Sequence, residues 1–298
     1  MKLAVIIPVL NQFAITNRAI DYLTEKEVDY EIIVVDNGSD EVFFNKKVTT
    51  FRYDEPIGSY PVFHEALKLT DADILAFFHS DVFIYDSDWD NKILAQFQAD
   101  ETLGLIGFVG SNEIDNLGGR GLGTASNFQG RITYGEQKLF ATPMEALEKA
   151  IETIRKDETY LPPKWSGSPA ENHGKRLTGF MNAAVVDGCV MILRRKALED
   201  IGRREDFPPH HFYDRLIATQ LLEKKWKIGV YGIACDHISG QTANREIKWQ
   251  IFAKKWCEEH HTSPGGLGVN WDVEIYKEAE RQWLSEYRDK KHLIPIRV

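Results

Sequence analysis

The sequence predicts an α/β fold in which a mostly parallel sheet is flanked by helices. Three observations lead there. The runs "KLAVIIPVL" and "EIIVVDNGSD" are short, rich in β-branched residues and end in polar or turn residues, and between them Thr16, Ala19, Ile20 and Leu23 recur at helical spacing. The runs "DILAFFHSD" and "LGLIGFVGS" are apolar on both side-chain faces, as strands covered on both sides of a parallel sheet must be. Finally, "NQ", "DNGSD" and "HSD" close three of these runs, and a parallel sheet gathers such ends on one rim, where open α/β folds bind their ligands.

In chain order, "KLAVIIPVL" is the first strand, the segment around Thr16 to Leu23 a helix, and "EIIVVDNGSD" the second strand, which together make a β-α-β unit. A third strand is expected in "KVTTFRYDE", a helix in "GSYPVFHEALKLT" and a buried strand in "DILAFFHSD". A polar-faced segment at 88–100 leads to "LGLIGFVGS". From about 111 to 184 the periodicity breaks into Gly-rich and polar pieces around one helical pattern near 143–157, which reads as a functional insertion. The glycines of "NLGGRGLGTASNFQG" match neither the dinucleotide fingerprint nor the P-loop spacing. Order returns with "AAVVDGCVMILRRKAL" as a strand running into a helix, "FYDRLIATQLLEKKW" as a helix and "KIGVYGIACDHISG" as a strand ending in His237. The division expected is a main domain over 1–242, containing that insertion, and a helical extension over 243–298 packed on it. In the extension Trp249, Phe252 and Trp256 share one helical face.

Composition narrows the function. The 298 residues carry 36 Lys and Arg against 45 Asp and Glu, and a net charge of -9 argues against a nucleic-acid partner. An anionic ligand would need local help from basic clusters, helix N-termini or a divalent cation. Cys189, Cys235 and Cys257 are far apart and odd in number, which suggests neither a disulfide framework nor a structural zinc site and fits a cytoplasmic location. The apolar start is too short to span a bilayer, so no transmembrane segment is expected.

Five residues at element ends are candidates for chemistry, each with a plain structural alternative. Asp36 ends the second strand and would accept hydrogen bonds from a ligand, although "DNGS" is also a strong turn sequence. His79 and Asp81 alternate after "ILAFF", so both would face one ligand, and oxygen with imidazole suits Mn²⁺ or Mg²⁺; a capped strand end is the alternative. His237 would join Asp81 if the two strand ends converge, and is otherwise a structural hydrogen-bonder. Asp214 starts a helix, where the macrodipole alone favours an acid, or serves as a general base.

Taken in order, "VIIPVLNQ", "IIVVDNGSD", "PIG" at 56–58, "ILAFFHSD", "VDGCVMILRRKAL" and "FYDRLIATQLLEKKWKIGVYGIACDHISG" resemble a family 2 glycosyltransferase of GT-A fold, chiefly over 3–110 and 185–242. The resemblance implies a nucleotide-sugar donor. Pro8, Val9, Asn11 and Asp36 would hold the base and ribose, with Gly58 and His79 also on the nucleotide side. "HSD" stands where the family has Asp-x-Asp, so Asp81 would bind a divalent Mn²⁺ or Mg²⁺ and His237 would be a further ligand. Asp214 takes the place of the second acid of a Glu-Asp pair and would deprotonate the acceptor. Two departures stand out: His79 replaces the first Asp, and Tyr213 replaces the first acid of the pair.

The activity expected from this resemblance is a metal-dependent, inverting transfer from a UDP- or dTDP-sugar to a hydroxyl of a glycan, lipid-linked or protein acceptor, with peripheral membrane contact allowed. Trp165, in "PPKWSGSP", is the candidate for stacking on an acceptor sugar. Two alternatives stay open: a non-catalytic sugar-binding protein on the same fold, and a sugar nucleotidyltransferase, against which "PVLNQFAITNR" lacks a basic Gly-rich loop.

Overall fold

Three apolar segments set side by side begin the fold: β1 (Leu3–Val9), β2 (Glu31–Asn37) and β4 (Ile74–Phe78), with β3 (Thr49–Tyr53) outside β2. The computed structural model describes residues 1–11, 13–114, 125–127, 175–237 and 273–294, with the side chains of 14, 15 and 273–277 left aside. After β4 come β5 (Val82–Ile84), β6 (Leu103–Gly107), β7 (Val109–Ser111), β8 (Ala125–Ser126), β9 (Lys175–Arg176), β10 (Phe180–Ala183), β11 (Val185–Val186), β12 (Val190–Arg194), β13 (Lys227–Tyr231) and β14 (Cys235–His237). The helices are α1 (Phe13–Leu23), α2 (Ser59–Leu69), α3 (Trp89–Ala99), α4 (Arg195–Ile201), α5 (Tyr213–Glu223) and α6 (Val273–Tyr287).

The main sheet has eight strands in the order β10-β13-β6-β12-β4-β1-β2-β3. Strands β3, β2, β1 and β4 are mutually parallel, and β13 is parallel to β6. Strand β12 runs antiparallel between β4 and β6, and β10 closes the edge antiparallel to β13. Alternate residues feed two apolar layers, as period-two side chains in a doubly covered sheet require. Ala4, Ile6, Leu75, Phe77, Met191 and Leu193 pack beneath α2, α4, α5 and α6, while Val5, Ile7, Ile74, Ala76, Phe78 and Ile192 pack beneath α1 and α3.

Two runs that read as single strands are broken. In "AAVVDGCVMILRR" a turn at Asp187 and Gly188 separates β11, which joins a small sheet with β7, β8 and β9, from β12 in the main sheet. In "KIGVYGIACDH" the chain leaves the main sheet at Gly232, whose N–H donates to Gly179 O at 2.9 Å and whose carbonyl accepts from Asn127 Nδ2 at 3.1 Å. Strand β14 then pairs antiparallel with β5, setting His237 opposite Val82. Local composition does not reveal this departure, because both halves of the run are equally apolar.

Of the insertion, only its two ends and residues 125–127 are described, and they contribute short strands to the small sheet and β10 to the edge of the main sheet; the helix expected near 143–157 lies outside the described residues. So does the aromatic face of Trp249, Phe252 and Trp256. Helix α6, beyond it, packs on the main fold: Trp283 is buried, stacks on Tyr287 at 4.7 Å and donates from Nε1 to Thr219 Oγ1 in α5 at 3.2 Å. Among the described residues no helix is long and apolar enough to cross a membrane.

Candidate metal and nucleotide-sugar site

His79 is the first residue past β4, and its N–H donates to Cys189 O at 2.9 Å, which ties the end of β4 to the start of β12. A tight turn comes next, with Val82 N–H donating to His79 O, so Asp81 leads directly into β5. The β5–β14 pairing delivers His237 from a distant part of the sequence. Its Nε2 lies 3.1 Å from Asp81 Oδ1 and 3.3 Å from His79 Nδ1. The three residues each offer one ligand atom, all within 4.8 Å of one another. The side chains of His237 and Asp81 retain only 9% and 12% exposure.

This donor set suits a divalent ion. An octahedral ion with ligands about 2.1 Å away sets neighbouring donors about 3 Å apart, close to the two spacings seen here. Protonation favours ligation too. Burial pushes the His79 imidazole down to about 4, helped by His237, which leaves it neutral at neutral pH. For Asp81, burial raises the carboxyl, but the charge and hydrogen bond of His237 outweigh it and the group ends below its ordinary value.

Tyr213 reaches the same cluster, with its hydroxyl 2.8 Å from His79 Nε2. Burial drives this phenol far above its ordinary range, so it stays protonated. Gly188 makes room for it: a Cβ there would sit 2.6 Å from the Tyr213 hydroxyl. In the sequence Tyr213 reads only as a missing acid. The contact with His79 spans 134 residues, and no local signal announces it.

Asp214, the next residue, is buried in the first turn of α5. Both its oxygens lie 2.9 Å from an Arg215 guanidinium nitrogen, and Oδ1 also accepts the Arg215 backbone N–H at 2.8 Å. Its charge is felt at His79. The turn before it is constrained, since His211 and Phe212 both have left-handed backbone angles (φ 63° and 52°). Non-glycine residues adopt that region at a cost, and two in a row fix how α5 enters the site.

The nucleotide candidates form a second group on the same rim. Pro8 and Val9 pair with Val35 and Asp36 across the parallel strands. Asn11 accepts the Asp40 N–H through Oδ1 at 2.8 Å, and its own N–H donates to Ser39 Oγ at 3.0 Å, stitching the ends of β1 and β2 together. Asp36 is fully buried and accepts from Ser39 N–H, Phe43 N–H and Arg52 Nη1, the last at 2.6 Å. Burial raises this carboxyl, but the hydrogen bonds from Ser39, Phe43 and Arg52 outweigh it and hold it below its ordinary value. The oxygens of Asp36 thus organise the loop at 37–43. Gly58 (φ 89°) precedes α2, where a Cβ would sit 2.4 Å from Pro209 Cβ, and the adjacent Tyr60 N–H donates to Pro209 O at 2.8 Å. The loop before Asp214 is therefore anchored on the start of α2. Trp165 lies outside the described residues.

Arg194 and Arg195 serve the framework. Arg194 donates to the carbonyls of Phe97 and Asp100 at the end of α3 and of Leu103 at the start of β6, and Arg195 to those of Leu67 and Thr70 at the end of α2 and of Ala72 beyond it. Each guanidinium satisfies helix-end carbonyls that would otherwise lack a partner.

Residues 50–161 match the model of a glycosyltransferase-like family. No curated protein sequence matches the chain. Among solved structures, it is similar to a mannosyltransferase from Pyrobaculum calidifontis in complex with GDP-Man and Mn²⁺, at 14% identity over 97% of this chain and 73% of that one, with a TM-score of 0.49. It is also similar to glucosyl-3-phosphoglycerate synthase from Mycobacterium tuberculosis in complex with Mn²⁺, UDP and glucosyl-3-phosphoglycerate, at 15% identity over 90% and 81% of the two chains, with a TM-score of 0.46. The matched stretch 50–161 contains α2, His79 and Asp81, and over that stretch, set in a mostly parallel α/β sheet, the chain is similar to the glycosyltransferase-like family.

Proposed function

We propose that this protein is a metal-dependent inverting glycosyltransferase that moves a sugar from a UDP- or dTDP-sugar to an acceptor hydroxyl on a glycan, a lipid-linked glycan or a protein. One observation carries the reading: His79, Asp81 and His237 converge at the carboxyl end of β4, inside or paired with the stretch that matches the glycosyltransferase-like family, and Tyr213 next to Asp214 touches the same cluster. We assign Asp81 and His237 to the metal. A divalent ion bound there supplies positive charge for the leaving diphosphate without a proton transfer.

The chain's own residues account for the rest. The rim formed by Pro8, Val9 and Asn11, with Asp36 bracing its loop, is our assignment for base and ribose; we assign Gly58, packed against Pro209, to the same nucleotide side. Asp214 accepts the proton of the acceptor hydroxyl while that oxygen bonds to the anomeric carbon and the bond to the diphosphate oxygen breaks. Attack from the face opposite the leaving group inverts the configuration. Arg215 holds the Asp214 carboxylate in one orientation, and burial removes competing water. We assign acceptor contacts to the insertion, including Trp165, and a cytoplasmic location, which the buried thiols of Cys189 and Cys235, not joined in a disulfide, support.

The rival reading, a sugar-nucleotide binder without activity, is favoured by one observation: both Asp214 oxygens are held by Arg215. A panel of UDP-, dTDP- and GDP-sugars, assayed for binding and slow hydrolysis with Mn²⁺ and with EDTA, separates the two. Metal-dependent binding of a UDP- or dTDP-sugar with turnover is expected. Binding without turnover would favour the rival, and no nucleotide-sugar binding in Mn²⁺ would sink both.

A further inference from the structure

We propose that His79 is a third protein ligand of the metal centre, locked in its ligating tautomer by Tyr213, and that the resulting pair of imidazoles and one carboxylate selects a first-row transition ion such as Mn²⁺ over Mg²⁺. The inference rests on the metal-centre assignment of Asp81 and His237, and reassigns His79 from the nucleotide to the ion.

The two positions that depart from the acidic pattern of the resembled family are in contact with each other. His79 presents Nδ1 to His237 Nε2 at 3.3 Å and Nε2 to the Tyr213 hydroxyl at 2.8 Å. If Nδ1 and His237 Nε2 share an ion, both must offer lone pairs, so the His79 proton sits on Nε2 and donates to the Tyr213 oxygen. Metal-bound imidazoles usually give their second N–H to an oxygen that fixes ring and tautomer, and Tyr213 is placed to be that oxygen. Its own position is built in from three sides. Gly188 leaves the space its hydroxyl occupies, the Phe63 ring packs 5.4 Å away, and the left-handed pair His211 and Phe212 sets its entry. An Asp at position 79 and an acid at 213 would supply two more negative charges and an oxygen-rich site. The pair present here supplies a neutral nitrogen donor instead.

That exchange alters which ion fits. Mg²⁺ prefers oxygen donors and keeps several waters, whereas imidazole suits borderline transition ions, and two imidazoles with one carboxylate on adjacent positions are a ligand set typical of such ions. The alternative is a hydrogen-bonded Asp81–His237–His79–Tyr213 chain that binds no ion.

The test titrates the metal-free full-length chain with Mn²⁺, Co²⁺ and Mg²⁺ alone, by calorimetry and, for Mn²⁺, by paramagnetic resonance of the free ion. Expected are one site for Mn²⁺, tighter binding of Co²⁺, and Mg²⁺ weaker than Mn²⁺ by about 100-fold or more. Tyr213→Phe should unfold as cooperatively as the parent yet bind Mn²⁺ about 10- to 100-fold more weakly. His79→Asp should narrow the Mn²⁺ to Mg²⁺ ratio by about tenfold or more, and carries the test if Tyr213→Phe does not fold. Equal affinity for Mn²⁺ and Mg²⁺, unaltered Mn²⁺ binding in folded Tyr213→Phe, or no binding of any ion would overturn the proposal. No nucleotide enters these titrations, so the two readings fail separately. A chain with this ion signature that ignores sugar nucleotides refutes only the transferase function; a working transferase indifferent to His79→Asp refutes only the three-ligand centre.

Discussion

Both oxygens of Asp214 face the Arg215 guanidinium, which also lies over the Phe212 ring at 4.9 Å. A carboxylate so paired is held in one orientation, which is what proton abstraction from a bound hydroxyl needs. Asp214→Asn keeps the size and a hydrogen-bonding group and removes the proton acceptor. Transfer should fall by about 10²- to 10⁴-fold while donor affinity survives. If Asp214 merely favours the helix start, turnover will be close to that of the parent, because Asn is tolerated at helix starts almost as well. At this scale the sequence was legible where chemistry clusters locally: His79 and Asp81 stand two apart at the end of an apolar run. It was not legible where partners are remote. Nothing near Tyr213 pointed to His79, and although "DNGS" announced the turn in which the Ser39 N–H takes up an Asp36 oxygen, nothing near Asp36 pointed to Arg52.

Helix α2 shows how one element serves core and site together. Its first turn holds the loop before Asp214 through Tyr60 N–H and Ser59, whose N–H donates to His210 Nδ1 at 3.3 Å, and its next turn buries His64. Among the described residues His64 Nε2 has no hydrogen-bond partner, and the ring packs edge-on against Tyr60 at 5.5 Å. Burial, reinforced by nearby Arg203 and only partly opposed by Glu65, lowers this imidazole to about 4 from an ordinary value of 6.5. Below pH 6.5 the unfolded chain therefore takes up a proton that the folded chain refuses. Its contribution to stability is complete above about 6.5 and is lost as pH falls toward 4, with a slope of at most about 1.4 kcal/mol per pH unit. Denaturant unfolding at pH 7 and pH 5 should show a shallower loss for His64→Phe than for the parent; identical slopes would mean that His64 does not titrate in this way. Elements were the most legible level, because apolar runs such as Ile74–Phe78 leave few options. The misreadings came at Gly188 and Gly232, where a run long enough for one strand is shared between two sheets. Such a division depends on close approaches from residues far away in the chain, and hydropathy carries no trace of them.

At the scale of the whole molecule, α6 is the feature least implied by the resemblance, which ends near residue 242, and its packing decides whether it is ornament or framework. Trp283 is 1% exposed, lies 6.0 Å from the Phe212 ring, stacks on Tyr287 and bonds Thr219 in α5, so the C-terminal helix shares an apolar layer with the helix that begins with Tyr213 and Asp214. Two ion pairs, Arg204 with Glu286 and Lys290 with Glu223, join it to the surface at 2.9 Å each. Exposed pairs of this kind are worth under about 1 kcal/mol, whereas truncating a buried Trp costs about 3–5 kcal/mol, so the aromatic contact dominates. Trp283→Ala should lower the unfolding free energy by about that larger amount in one cooperative transition, and Glu286→Ala by less than about 1 kcal/mol. Because Phe212 immediately precedes Tyr213, the Trp283 variant should also bind Mn²⁺ more weakly than Glu286→Ala does, at a temperature where both remain folded. A separate early transition for α6, with the main unfolding midpoint unmoved, would show instead that this helix is an appendage and that α5 holds its place without it.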